Sequence, residues 1–439
     1  MTTAPQPPSS DTGHIWISQP GGRSNCYSDP EGRFSIIAAG RTDAQEVVRM
    51  EAYSAAMAFV NGKFDVHGDI LAAIRHFSKQ PHSRFRDKLF SVLARLEHLR
   101  IYSRFGGRDK SADNIQFHYD RSNEFYAQFL DSRMIYSEAS FEDPEDSLER
   151  AQTRKLDRIC RDLALRPGER FLDIGCGWGG LISYAVEHYG VAAHGCTLSS
   201  KQLNFARTVI ERAGVQDRTT VSLCDYRDLE GRFDKIASVG MFEHVGRGRL
   251  QGYFAKVHAL LNEGGLFLNR GIVRPEGVPD SPETFFIQKQ VFPGGELVHL
   301  SDVIREAERA GFEPVGLQDL RIHYARTCAA WVKNLQSNAV NCRALVGDRA
   351  YRTWVLYLAG SAVAFEQGRI SATQVLLAKR GELSKIKKAF SLQRSRKLSA
   401  FSAQLSAFFP RTTAQSACAL NLFRGRSLIQ GVHPKLTDS

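Results

Sequence analysis

The sequence predicts an α/β protein, a doubly wound sheet with helices on both faces, preceded by a small α+β domain. Three observations carry that prediction. Residues 171–180, FLDIGCGWGG, pass from the apolar end of a strand through a glycine turn into LISYAVEHYG, whose apolar residues recur at helical spacing. From 170 to 273, short apolar strand segments alternate with amphipathic helical ones, the pattern of a sheet wound through crossover helices. Residues 32–100 carry instead short apolar runs (FSIIAAG, AAMAFVNG, ILAAIRHF, LFSVLARL) broken by turn signals such as NGKFDVHGD. That stretch reads as a separate α+β unit.

Taken in order, residues 1–30 are rich in Pro, Ser, Gly and Thr and are expected to be disordered. The α+β domain follows over 31–105, and RLEHLRIYSRFGGRDKSADN reads as a basic linker into a catalytic segment, 106–380. Its first part, 117–141, is dense in aromatics, and 147–165 has the apolar spacing of an amphipathic helix. Strands are predicted at 170–174, 191–196, 219–225, 235–240 and 265–273, with helices at 180–189, 201–214 and 250–262 between them. An insertion, ETFFIQKQVFPGGEL, comes next, then the helical SDVIREAERAGF and two aromatic-rich segments, HYARTCAAWVKNL and YRTWVLYLAGSAVAFEQG. Those aromatics either line an apolar tunnel or form plain core. TQVLLAKR closes the segment as a last strand.

The chain is 439 residues long with a net charge of +11, unevenly placed. Residues 381–439 hold ten basic against two acidic residues, leaving +3 for the rest. A basic tail is suited to an anionic membrane surface or to nucleic acid, and is otherwise a solvated extension. There is no run of about 18 apolar residues, so no transmembrane helix is expected. MTTAPQPPSSDTG has neither the basic nor the apolar region of a secretory signal. The eight cysteines are scattered without a CxxC pair or a ligand-spaced Cys/His cluster, which fits reduced thiols in a cytosolic protein and no metal site.

A glycine turn between strand and helix lets a ligand approach the backbone, and Asp173 brings a carboxylate to the same crevice. A dinucleotide fingerprint reads GxGxxG with an acid about 20 residues on. Here the pattern is DxGxGxGG, and the next strand end offers Thr197, Ser199 and Gln202 but no carboxylate. That argues against NAD. The pattern resembles the S-adenosylmethionine (SAM) loop of class I methyltransferases, a Rossmann-like fold. The resemblance implies that Asp173, Gly175, Gly177 and Gly179 form the cofactor loop, with Thr197 also at the cofactor, Gln202 near the ribose and Asp225 and Tyr226 near the adenine.

Eight blocks extend the resemblance: HYD…SNEFY, MIYSEASF, LDIGCGWGG, TLSSKQ, DYRDL, SVGMFEHVG, VFPGG and HYARTCAAW. In this order they resemble the cyclopropane-fatty-acyl-phospholipid synthases and mycolic acid methyltransferases, from about residue 110 to 380. NGKFDVHGDILAAI is similar to the lipid-facing N-terminal domain of bacterial members. The family implies methyl transfer from SAM to the cis double bond of a phospholipid acyl chain, beside the inner face of the membrane in the cytoplasm. It implies no nucleic-acid partner, and leaves a homo-oligomer open. The alternatives are a methyltransferase of a small acceptor and an inactive lipid-binding relative.

In the family a bicarbonate ion removes the proton, held by a cysteine, a glutamate, a histidine, a tyrosine and a backbone amide. By resemblance the glutamate is Glu243, the tyrosine is Tyr324, and Tyr136 and Ser137 are the pair that touches SAM. Three positions depart. The cysteine is Glu138, the histidine is Arg270, and a late cysteine is Ser361. The departures argue against bicarbonate and leave the methyl-transfer apparatus in place. Glu138 is expected to replace the ion as base, with Arg270 offsetting repulsion between Glu138 and Glu243. Proton loss from the new methyl gives a cyclopropane. Loss from an adjacent carbon gives a methylene or methyl-branched chain, the latter calling for a separate reductase.

Overall fold

The structure, a computed structural model, describes residues 14–78 except 20–21, 40–41 and 43, and residues 122–381 except 279–280 and 293–294. These residues belong to one compact unit, Met1–Leu383. The basic linker and almost all of the basic tail lie outside the described residues.

The alternating pattern folds as the sequence predicts. Strands β5 (Arg170–Ile174), β6 (Ala192–Thr197), β7 (Thr219–Leu223), β8 (Phe233–Val239) and β9 (Leu261–Val273) are parallel. From β5 the chain runs outward to β6 and β7 on one side, then returns to place β8 and β9 on the other. This reversal opens a crevice beyond the C-terminal ends of β5 and β8, where ligands bind in such sheets. Apart from the exposed Arg170, every residue of β5 is buried, as expected for a strand covered on both faces.

One strand escapes the sequence reading. Phe312–Asp319 forms β10, and β11 (Ser371–Lys379) lies between β9 and β10, antiparallel to both. Pro314 and Gly316 break the alternation of FEPVGLQD, and the ladder register shifts between them. Such residues are tolerated because β10 is the end strand of the sheet among the described residues.

The N-terminal part corrects another expectation. Composition predicts disorder over 1–30, yet His14–Gln19 (β1) and Gly22–Ser28 (β2) pair as an antiparallel hairpin. Strand β2 continues the ladder onto β3 (Phe34–Ala38) and β4 (Phe64–Gly68). Tertiary pairing outweighs local composition here. Helices α1 (Ala44–Arg49), α2 (Ala52–Val60) and α3 (Ile70–Ser78) complete an α+β arrangement.

Helices α4 (Asn123–Tyr126), α5 (Leu148–Asp162), α6 (Gly180–Tyr189), α7 (Ser200–Arg212) and α8 (Leu250–Leu260) precede a helical region. That region comprises α9 (Pro282–Gln290), α10 (Leu300–Arg309), α11 (Arg321–Ser337), α12 (Ala339–Val346) and α13 (Asp348–Glu366). The N-terminal sheet shares an apolar core with α11 and α13, in which Phe34, Phe59, Phe64 and Ile70 join Trp331, Trp354 and Leu358. Ion pairs tie the same parts together. Arg75 grips Glu366 at 2.7 and 2.8 Å, and Arg352 reaches Asp65 at 2.7 Å.

Candidate active site

Two cavities meet above the parallel strands. The first is a cleft of about 160 Å³ at the C-terminal ends of β5, β6 and β8, lined by Tyr136, Ser137, Asp173, Gly175, Gly177, Thr197, Gln202, Asp225 and Tyr226. Of the ten residues expected at the cofactor, only Gly179 is outside this lining. Its φ of 86° starts α6, and a Cβ there would meet the Ala206 Cβ at 3.0 Å, so close packing on α7 explains this glycine. Gly177, at φ 55°, faces open space where a Cβ would stand. The cradle therefore has room for a ligand against its backbone.

Polar groups around the cleft are pre-arranged. Thr197 Oγ1 donates to Gln202 Oε1 at 2.7 Å and accepts from the Ser199 amide at 3.2 Å. The Asp225 carboxylate accepts from the Arg227 amide and Nε at 2.9 and 2.8 Å. Asp173 is buried, and desolvation pushes its carboxyl up to about 7 against the opposing pull of Lys155. A ligand bearing positive charge would favour its ionised form. The residues present thus fit SAM, whose methionine end carries an ammonium and a sulfonium.

Sequence reasoning missed Lys155. It is 2% exposed, lines the cleft, and donates to Ser137 Oγ at 2.7 Å. Burial pulls its ammonium down to about 8, against the nearby Glu138 carboxylate. The signal was present, because Lys155 sits four residues after Ala151 and four before Ile159 on the buried face of α5.

The second cavity, of about 720 Å³, is mostly apolar and is walled by α9, α11, α13 and the segment after β9. Tyr136, Gly240 and His244 line both cavities, so the two meet there. Its aromatic lining includes Phe285, Phe292, Tyr324, Trp331, Tyr357 and Phe365, and Ser361 is also on its wall. Tyr324 stacks on Phe365 at 4.5 Å, and Tyr136 lies 5.1 Å from Trp331. Both sequence readings of the aromatics hold, because the same helices also send Trp354 into the core. His244, read from the sequence as support, is pushed down to about 4 by burial.

Glu243 lines this cavity as well. Its Oε1 accepts from the Ile272 amide at 2.7 Å, while Oε2 has no hydrogen-bond partner among the described residues. Burial pushes its carboxyl up to about 7, and the Glu138 charge adds a smaller push. Burial, more than repulsion between carboxylates, is thus the main cause. Glu138 and Arg270 are buried at 1% and 0% exposure and form an ion pair. Neither lines either cavity, so the expectation that Glu138 itself faces the substrate as base is not met, because its carboxylate is turned into the interior onto Arg270. Both Arg270 Nη groups lack a hydrogen-bond partner among the described residues. The groups that stand where the resemblance puts the ion's cysteine and histidine ligands are turned away from the cavity onto each other, and a bicarbonate on the cavity wall would face the Glu243 carboxylate. The residues present do not fit that ion.

Comparison with known proteins gives the family and the fold. A family model described as mycolic acid cyclopropane synthetase matches residues 107–375. A probable fatty acid methyltransferase of Pseudomonas putida is 42% identical over 330 residues, 73% of this chain and 81% of that protein. Sphingolipid C9-methyltransferase A of Emericella nidulans is 33% identical over 72% of this chain, which spans 63% of that protein's length. Among solved structures, mycolic acid cyclopropane synthase CmaA1 complexed with SAH and CTAB superposes with a TM-score of 0.59 at 34% identity. That likeness covers 61% of this chain and 98% of the other.

Proposed function

The chain belongs to the mycolic acid cyclopropane synthetase family, and from that premise we propose that it methylates the double bond of an unsaturated fatty acyl chain carried by a phospholipid. The coarser statement is plain: this is a SAM-dependent methyltransferase of a lipid-modifying family. The observation that carries the finer one is the aromatic cavity, which meets the cofactor cleft at Tyr136, Gly240 and His244. An apolar chain fits that lining, and a polar small acceptor does not.

When bound, the cofactor supplies an electrophilic methyl group. Tyr136, Ser137, Asp173, Gly177 and Gln202 would hold it. The acyl chain becomes cationic as its double bond is alkylated, and the rings of Tyr324, Trp331 and Tyr357 favour that charge by about 0.5–2 kcal/mol each. The apolar lining keeps out water that would capture the cation. In this reading Glu243, which stands on the cavity wall and whose Oε2 has no hydrogen-bond partner among the described residues, is the group placed to take the proton. The buried Glu138–Arg270 pair beside it sets its position and charge. A methylene product would leave saturation to a separate reductase. No helix among the described residues is long and apolar enough to cross a membrane, and the reading places the enzyme peripherally at the inner membrane face.

Mass spectrometry of phospholipids from a heterologous host tests the proposal. The expected result is acyl chains heavier by one CH2 unit at the expense of monounsaturated ones. Unchanged acyl chains, with modification confined to sphingoid bases or small polar metabolites, would refute it.

Gly271 provides a second test. A Cβ there would stand 2.5 Å from Phe242 Cε1 and 2.7 Å from Glu243 Oε1. Gly271→Ala therefore displaces the Glu243 carboxylate. Misplacement of about 1 Å costs on the order of 10²-fold in rate, so kcat falls by about that factor while SAH affinity holds. A variant with unchanged kcat would remove Glu243 from the proposed site.

A further inference from the structure

Three cysteines that the sequence scatters, Cys176, Cys196 and Cys224, line the cofactor cleft together. Cys196 is the penultimate residue of β6, before Thr197, and it pairs with Ser222 of β7 in the parallel register. Cys224 stands two residues beyond Ser222, on the same side of the strand, and its amide donates to Thr197 O at 3.1 Å. Asp225 and Tyr226, which line the cleft, follow it directly.

Cys224 also ends a chain of polar contacts that the methyl-transfer chemistry does not use. Its Sγ lies 3.1 Å from Ser222 Oγ, which lies 3.0 Å from His194 Nε2, and His194 Nδ1 lies 2.7 Å from Thr220 Oγ1. One proton assignment satisfies these three contacts: Thr220 donates to Nδ1, Nε2–H donates to Ser222, and Ser222 donates to sulfur in place of the longer contact to Gly195 O at 3.5 Å. Burial pulls the His194 imidazolium down, in keeping with the neutral ring this needs. The Cys224 thiol is pushed down to about 6, chiefly by the hydrogen bond with Cys196 and further by Ser222, against burial and the Asp225 and Asp228 carboxylates. Cys196 moves the opposite way, well up, so it keeps its proton. An acidified, half-buried thiol beside a buried protonated one is the arrangement of an attacking and a resolving cysteine.

We infer that Cys224 and Cys196 form a peroxide-driven, reversible disulfide at the cofactor cleft, and that this bond closes the enzyme to SAM. In the first step the Cys224 thiolate attacks hydrogen peroxide. An S–O bond forms, the O–O bond breaks, and the leaving hydroxide takes a proton to become water. In the second step the Cys196 sulfur attacks the sulfenic sulfur of Cys224. The S–S bond forms, the S–O bond breaks, and the Cys196 proton leaves with hydroxide as a second water. Two thiol sulfurs are oxidised by one electron each, and one peroxide is reduced to two waters. The new bond pulls the strand end at Thr197 toward Asp225 and Tyr226, on either side of the space expected for the adenosine.

The inference rests on the cofactor-cleft assignment, and the test separates the two. The full-length protein is treated with hydrogen peroxide, digested without reduction, and examined by peptide mass spectrometry. SAH affinity is titrated before treatment, after it, and after dithiothreitol. The expected results are a Cys196–Cys224 linked peptide, a loss of about tenfold or more in SAH affinity, and recovery on reduction. Cys224→Ser and Cys196→Ser, each compared with its own untreated sample, should keep their SAH affinity through peroxide treatment. A link between other cysteines, sulfinic acid at Cys224 without a link, or a link that leaves SAH affinity unchanged overturns the inference alone. Failure of the untreated protein to bind SAH overturns the cleft assignment and the switch with it.

Discussion

Glu138→Gln is expected to lower turnover by about 10²-fold, the order of loss when a catalytic group is misplaced by about 1 Å, because Glu138 positions Glu243 and does not itself line a cavity, while SAH still binds. The substitution keeps the size of the side chain and removes its basicity. The wild-type carboxylate is fully buried and paired with Arg270, and the Glu243 and Arg270 side chains beside it hold polar atoms without hydrogen-bond partners among the described residues. A buried ion pair stripped of one partner costs about 3–5 kcal/mol, so lost activity could reflect a damaged fold. Two controls remove that ambiguity. SAH titration reports whether the cofactor cleft survives, and Glu138→Gln with Arg270→Gln removes the orphaned charge. The double variant should regain stability and stay slow. Full turnover in Glu138→Gln, or a wild-type enzyme that works only with added bicarbonate, would sink the assignment.

Trp354→Ala is expected to cost about 3–5 kcal/mol of stability, the usual range for truncating a buried tryptophan. Trp354 is 1% exposed at the centre of an aromatic cluster. Its ring meets Phe125 at 5.4 Å, Tyr126 at 5.5 Å and Phe129 at 5.7 Å, with Tyr136 at 6.0 Å. Such aromatic pairs add about 0.5–1.5 kcal/mol each beyond burial. The cluster also joins the N-terminal sheet to α11 and α13, so the loss should be felt on both sides of that junction. Because Tyr136 lines both cavities, SAH affinity should weaken in the same variant. Trp354→Phe retains a ring and should recover much of the loss. Urea unfolding followed by near-UV circular dichroism measures it, and a change below about 1 kcal/mol would mean that the cluster repacks freely.

Much of this architecture is written locally. The strand–glycine–helix passage at 171–180 needs only apolar spacing and glycines at φ 81°, 55° and 86° to adopt its turn. The parallel strands and the helices between them follow from period and punctuation, because each is specified within about a dozen neighbours, whereas the cofactor-cleft residues at their ends are named by resemblance to the SAM loop. Glu138, Arg270, Glu243 and Tyr324 were legible by their match to family blocks, although no local pattern brings them together.

Tertiary structure decided the rest. The hairpin of β1 and β2 forms in a stretch whose composition predicts disorder, because its polar backbone groups find a neighbouring ladder in β3. Strand β10 is broken by Pro314 and Gly316 and exists only because β11 pairs with it. Which core aromatics also reach the cavity wall depends on how α11 and α13 pack, since Trp331 and Trp354 share one core and only Trp331 lines the cavity as well. The three cysteines line one cleft because β5, β6 and β7 are neighbours in a parallel sheet, although 48 positions separate Cys176 from Cys224. Periodicity tells a chain which face of each element to bury. Which buried faces then share a site depends on crossover connections and packing, and these lie beyond the reach of any local pattern.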